Sequence, residues 1–158
     1  MQARDIMTPD VITVQPQASV QDAARLLSDY RISGMPVVDG DERVIGVVTE
    51  ADIITKPGAT VEKIMSRRII SVQEDTSVDT IAQILTSNRI KRVPVMAGDR
   101  LLGIVSRADI VRMMASRWVC EVCGGIHLGA MPHACDSCGV EAIYLVRQLD
   151  PRTEITTR

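Results

Sequence analysis

Aromatic side chains are almost missing from this chain: among 158 residues there is no Phe, one Trp and two Tyr, 2% in all. Any core must therefore be aliphatic. A surplus of positive charge is missing too. The formal net charge is -2, so the chain as a whole exerts no electrostatic pull on nucleic acid or anionic lipid. No apolar run approaches the ~20 residues of a membrane-spanning helix, and no membrane association is expected. The opening residues, Met1-Gln2-Ala3-Arg4-Asp5, lack the charged start and apolar stretch of an export signal, so a cytoplasmic, reducing setting is expected. There the four cysteines serve as ligands or reactive groups rather than as disulfides. What is present is ordinary for a folded protein: 46% hydrophobic and 24% charged residues, enough for one domain, or one domain plus a small module.

The chain is self-similar. Shifted by 58 residues, Ile6-Met7 falls on Ile64-Met65, Val14-Gln15 on Val72-Gln73, Ser19-Val20 on Ser77-Val78 and Pro36-Val37 on Pro94-Val95. One residue is then lost from the turn that follows, and a shift of 57 brings Gly46 onto Gly103 and Ala51-Asp52-Ile53 onto Ala108-Asp109-Ile110. Two copies of one unit thus occupy residues 1–58 and 59–116. Residues 117–150 hold all four cysteines and match neither copy; within them Ala142 to Leu149 is expected to form a closing strand, and 151–158 read as a flexible tail.

Each copy reads as β-α-β-β-α. A β-branched strand (Val11 to Val14; Ile69 to Val72) leads to a helix capped by Ser19 or Ser77. A strand containing Pro36 or Pro94 follows, then a Gly-Asp turn, a returning strand, and a second helix, from Glu50 to about Thr55 or from Arg107 to about Ser116. One such unit is too small to bury both of its faces. The expected fold is α/β (α+β), with the two copies packed as a pseudo-twofold pair around a shared core, plus a small metal-bound β ribbon.

The stretches Ile32-Ser33-Gly34-Met35-Pro36-Val37-Val38-Asp39 and Gly46-Val47-Val48-Thr49-Glu50-Ala51-Asp52-Ile53 resemble a CBS domain. So do Ile90-Lys91-Arg92-Val93-Pro94-Val95 and Gly103-Ile104-Val105-Ser106-Arg107-Ala108-Asp109-Ile110. The resemblance spans about 116 residues and implies a tandem pair that senses an adenine ligand such as AMP, ADP, ATP or S-adenosylmethionine. It also implies a homodimer. The implied ligand-binding residues are Thr13, Met35, Pro36, Thr49 and Asp52 in one cleft, and Ser71, Arg92, Val93, Pro94, Ser106, Arg107 and Asp109 in the other.

Two elements can be argued from chemistry alone. Thr49 and Ser106 sit at strand-to-helix junctions, where unpaired backbone N–H groups favour phosphate. Asp52 and Asp109, one turn further on, offer carboxylates suited to a ribose diol. The competing explanation is a capping box, which needs no ligand. Residues 1–60 carry 5 basic and 9 acidic groups, whereas 61–116 carry 9 basic and 6 acidic. An anion is accordingly expected on the Ser106/Arg107 side.

Cys120-x-x-Cys123 and Cys135-x-x-Cys138, eleven residues apart, form a metal-ligand pattern. Gly124 and Gly139 follow each pair, where a tight knuckle needs positive φ. Four thiolates make a closed tetrahedral site. His127 and His133 are reserve ligands. The run from Trp118 to Gly139 is similar to rubredoxin-like modules and zinc ribbons, with rubrerythrin-type tails giving the closest pattern. It departs by carrying Asp136 where rubredoxins usually have Pro, and Gly125-Ile126 where an aromatic is usual. That thinner aromatic shell favours zinc, with iron as the alternative.

The function expected is a nucleotide-sensing regulatory pair whose ribbon contacts a protein partner. The alternatives are an iron electron-transfer protein under nucleotide control and a nucleic-acid-binding regulator. The last is disfavoured because residues 117–158 hold 4 basic and 5 acidic groups with no basic stripe. No nucleophile–base–orienter set is evident, so no enzymatic activity is expected.

Overall fold

The structure is a computed structural model that describes residues 1–148; Leu149, where the last strand was expected to end, and the tail 151–158 lie outside the described residues. The chain divides into two compact units, Met1–Arg107 and Ala108 onward.

The first unit holds most of both repeats. Its elements are α1 (Ala3–Ile6), α2 (Val20–Asp29), β1 (Gly34–Val38), β2 (Val44–Thr49), α3 (Glu50–Thr55), α4 (Val61–Ile64), α5 (Val78–Ser87), β3 (Arg92–Ala97) and β4 (Arg100–Ser106). The caps fall where the sequence puts them: Ser19 accepts from the Asp22 N–H and Ser77 from the Thr80 N–H. Strands β1 and β2 form one antiparallel hairpin and β3 and β4 the other, each with a register shift, after Val37 and after Val95.

The expected first strand of each copy is reduced to a single bridge. Val14 pairs in parallel with Val37, and Val72 with Val95. Val14 donates to the Pro36 carbonyl and accepts from Val38, and Val72 and Met96 repeat the pattern around Pro94. The next rung would need an N–H from Pro36 or Pro94, which proline lacks, so the ladder stops there.

The two copies are interleaved. The N–H groups of Ala3 and Arg4 donate to Thr76 and Glu74, and Val78 donates to Met1. In mirror fashion Val61 and Glu62 donate to Ala18 and Pro16, and Val20 donates to Ala59. Thr8 exchanges two backbone hydrogen bonds with Ile104 (2.9 and 3.0 Å), and Ser66 does the same with Val47 (both 2.9 Å). Each copy's opening segment therefore completes the other copy's hairpin. Gly103 and Gly46 make room for this. A Cβ at Gly103 would lie 2.7 Å from Met7 Sδ and 2.9 Å from the Thr8 carbonyl oxygen, and one at Gly46 would lie 2.8 Å from Met65 Sδ. The aliphatic core follows the same exchange: Val61, Ile64 and Met65 pack with Val14, Ala23, Leu27, Met35, Val37 and Val48. In the second copy Val78, Ile81, Leu85, Val93, Val95 and Val105 are buried.

Helix α6 (Arg107–Met114), two residues shorter than the expected helix, starts at the last residue of the first unit; the second unit continues with β5 (Arg117–Cys120), β6 (Ile126–Leu128), a 3-10 turn over Ala142–Tyr144, and β7 (Leu145–Gln148). The strands form one antiparallel sheet in the order β6-β5-β7. The expected closing strand from Ala142 begins only at Leu145, because Ala142–Tyr144 is wound as a 3-10 turn.

Candidate nucleotide cleft and metal centre

A cleft of about 160 Å³ opens between the two repeats of the first unit. The first repeat lines it with Met35, Pro36, Val47, Thr49 and Asp52. The second contributes Ser66, Arg68, Ile70, Ile90, Arg92, Pro94 and Ile104. Six of the sequence-predicted residues meet here: Met35, Pro36, Thr49, Asp52, Arg92 and Pro94.

The junction of β2 and α3 positions Thr49 and Asp52. Asp52 Oδ2 accepts from the Thr49 N–H at 2.8 Å and from the Thr49 hydroxyl at 2.7 Å, while the Asp52 N–H donates back to Thr49 Oγ1 at 3.3 Å. The capping box is thus formed. Lys56 Nζ sits 2.7 Å from Asp52 Oδ1 and also donates to the Ile64 carbonyl at 2.9 Å. Burial works to raise the Asp52 pKa, but the hydrogen bonds from Lys56 and Thr49 outweigh it and hold the carboxyl below its ordinary value. Arg92 reaches back to the first repeat, donating to Ser33 Oγ at 3.1 Å.

The other predicted residues lie elsewhere. Thr13 is half-buried in the extended segment before Val14. Val93 is fully buried opposite Val105. Ser71 borders a separate, more polar depression with Gln73, Thr76 and Gly98. Ser106 ends β4 opposite Arg92. The Arg107 guanidinium, expected to face an anion, donates instead to the carbonyls of Ile90 (2.9 Å) and Leu85 (3.1 Å). Asp109 is buried in the second unit and accepts from Arg112 at 3.1 Å.

Sequence reasoning missed the other lining residues: Val47, Ser66, Arg68, Ile70, Ile90 and Ile104. The repeat itself carries a signal for one of them: at the 58-residue shift, Arg68 aligns with Asp10 and Arg92 with Gly34. The charge asymmetry between the copies therefore falls on the cleft that holds Thr49 and Asp52.

The four cysteines come together as their spacing predicts. Their sulfurs all lie within 4.8 Å of one another. Cys120 and Cys138 Sγ are 3.7 Å apart, and Cys123 and Cys135 Sγ are 3.6 Å apart. A tetrahedron with metal–sulfur bonds of ~2.3 Å has edges of ~3.8 Å, so the cluster fits a single ion of that size. Two matching knuckles build it. Gly124 donates to the Cys120 carbonyl (2.8 Å) and Gly139 to the Cys135 carbonyl (2.7 Å), each glycine at positive φ (73° and 75°). The Gly125 N–H points at Cys123 Sγ at 3.4 Å. Leu145, Val140 and Ala142 pack against Cys120 and Cys135. Trp118 instead uses its indole N–H to hold the Gly129 carbonyl at 2.9 Å.

His127 is not among the clustered ligands. It is buried, with Nε2 3.4 Å from Cys135 Sγ and Nδ1 3.3 Å from Asp136 Oδ2. Burial opposes ionisation of Cys135, but hydrogen bonds from His127 and from the backbone of Cys138 and Ser137 bring it down to about 5. Cys138 is favoured by the Val140 N–H, yet the neighbouring sulfurs and burial push it up to about 12. Cys135, His127 and Asp136 superficially form a nucleophile–base–orienter row that the sequence did not reveal. The sulfur is buried within the four-cysteine cluster, which suits a ligand and not an accessible nucleophile.

Comparison with known proteins agrees with the repeat. The family model for the CBS domain matches residues 3–58 and 61–116. The chain belongs to the CBS-domain family, as a tandem pair. It is 31% identical over 113 residues to inosine-5'-monophosphate dehydrogenase of Methanocaldococcus jannaschii, covering 70% of this chain but 23% of that enzyme. The match is to the CBS portion, and the chain spans under a quarter of that relative's length. Among solved structures, CBSX2 in complex with AMP superposes with a TM-score of 0.68 at 29% identity, over 70% of this chain and 93% of that one. The CBS pair of MJ0100, in complex with 5'-methylthioadenosine and S-adenosyl-L-methionine, gives 0.67 at 33% identity, over 71% and 94%. The family match ends at residue 116, before the cysteines. Among the described residues no helix is long and apolar enough to cross a membrane.

Proposed function

We propose that this protein is a regulatory sensor. Its paired repeats bind an adenine nucleotide in the Thr49/Asp52 cleft, and its four-cysteine ribbon holds one zinc ion. The observation that carries the nucleotide reading is the convergence of Met35, Pro36, Thr49, Asp52, Arg92 and Pro94 on one cleft, in a fold whose solved relatives hold adenine ligands. In this reading the apolar walls take the base and Asp52 takes the ribose diol. An ionised carboxylate offers about four acceptor sites, and three of those on Asp52 already receive Thr49 N–H, Thr49 O–H and Lys56. A diol donating two hydrogen bonds therefore displaces Lys56. Ligand binding is in this way coupled to the segment between α3 and α4, which begins at Lys56.

Cys120, Cys123, Cys135 and Cys138 are the zinc ligands. A closed four-thiolate shell leaves no open coordination position, so the ion's role is structural, and the function proposed is regulatory rather than catalytic. The ribbon serves as the contact for a protein partner, and the sensor works as a homodimer in the cytoplasm. Native mass spectrometry of freshly purified full-length protein tests these points together: one zinc per chain, an even-numbered assembly and an adenine-nucleotide mass are expected. Cys135→Ser should abolish stoichiometric zinc; a variant that retains one tightly held zinc per chain refutes four-thiolate ligation.

A further inference from the structure

The charge on the cleft walls distinguishes among adenine ligands. Two arginines line it, Arg68 and Arg92, against a single acidic residue, Asp52. In the ligand-free cleft Lys56, 2.7 Å from its carboxylate, offsets that charge. Arg68 is exposed and makes no ion pair among the described residues. The rest of the lining is chiefly aliphatic, with Ile70, Ile90 and Pro94 on the second-repeat side. The two repeat-related positions carry Asp10 and Gly34, so the positive pair belongs to this cleft's second-repeat residues alone.

We propose that this cleft selects adenine ligands that carry phosphate and discriminates against S-adenosylmethionine, with Arg68 as the specificity-determining residue. The inference rests on the reading that the cleft binds an adenine ligand. A sulfonium and an ammonium give S-adenosylmethionine a net positive charge, which two guanidinium groups repel. A nucleotide's phosphate is a dianion that a guanidinium grips through paired N–H donors. Adenosine, lacking either tail, binds with an affinity between these extremes. Because Arg68 is exposed, its contribution is screened by salt while that of apolar base contacts is not.

The test is isothermal titration of the full chain with AMP, ATP, adenosine and S-adenosylmethionine, each at low and high salt. AMP and ATP are expected to bind at least tenfold tighter than S-adenosylmethionine, and salt should weaken them but leave adenosine unchanged. Arg68→Ala should weaken AMP by about tenfold, the scale of one charge-assisted hydrogen bond, and leave adenosine within about twofold. Arg68→Lys should recover part of the loss, and Arg68→Glu should bring AMP below adenosine. Ile70→Trp, which fills the cleft, identifies the event to be read if two appear. Equal or tighter binding of S-adenosylmethionine overturns the proposed selectivity and leaves the adenine reading standing. So does AMP affinity unmoved by Arg68→Ala. Failure of all four ligands to bind removes the adenine reading and the selectivity with it.

Discussion

Replacing Asp52 with Ala removes one carboxylate and three interactions at once. The N–H and hydroxyl of Thr49 lose their acceptor, Lys56 loses its counter-ion, and helix α3 loses one half of its capping box. The cap contributes ~1 kcal/mol. The hydroxyl–carboxylate bond adds ~0.5–1 kcal/mol at a side chain of 13% exposure, and the half-exposed Lys56 pair adds ~0.5 kcal/mol. The expected loss is ~2 kcal/mol at pH 7, or ~8 °C in Tm for a unit of this size. The folded-state pKa of Asp52 lies below its ordinary 3.8. Its contribution is therefore complete above the unfolded-state value and is lost as pH falls through the lower folded-state value. The gap between wild type and Asp52→Ala should be flat from pH 7 to ~5 and narrow below ~3.8. Far-UV circular dichroism under urea is the suitable probe, because Trp118 lies in the ribbon and the first unit's one tyrosine, Tyr30, is already exposed in the folded state. A gap under ~0.5 kcal/mol at neutral pH, or one undiminished in acid, refutes this account of the junction.

Gly103→Val forces branched bulk against Met7 Sδ and the Thr8 carbonyl, and should cost ~1–3 kcal/mol in urea unfolding; a neutral result means the opening segment does not dock on β4. Ile81→Ala empties a fully buried position on α5 and should cost ~2–5 kcal/mol by the same measurement. His127→Ala should keep one cobalt per chain in the cobalt-substituted ribbon but move the sulfur-to-cobalt charge-transfer band to lower energy, since an N–H donor is withdrawn from Cys135. A band that stays in place shows that His127 does not donate to that sulfur.

Much of this molecule can be read locally. Ser19 and Ser77 announce α2 and α5 because a cap and an apolar stripe are short-range signals. The cysteine cluster is legible for the same reason, since each knuckle is closed by a glycine within two residues of its ligand. Helices α1 and α4 are not legible: four residues carry too little periodicity, and their first two N–H groups donate to the opposite copy. The missing rung beside Pro36 and Pro94 was written in the sequence, but it takes effect only once the partner strand is known. Arg68 escaped because it lies outside the Thr-x-x-Asp element. The charge reversal from Asp10 to Arg68 acquires meaning only when the fold brings that segment to Thr49. Arg107 was misleading because its position beside Ser106 says nothing of where its long, flexible side chain carries the guanidinium.

The reciprocal docking of residues 1–8 and 59–66 bears on how the molecule is synthesised. Thr8 waits for Ile104, nearly a hundred residues later, before its backbone finds a partner. On the ribosome the first copy acquires its missing edge only when residues 61–66 emerge, and the second finds its own already made and waiting at the amino end. Such long-range closure slows folding. A nascent chain halted after one copy would present an open hairpin flank, and its readiest substitute is the same segment of a neighbouring polypeptide.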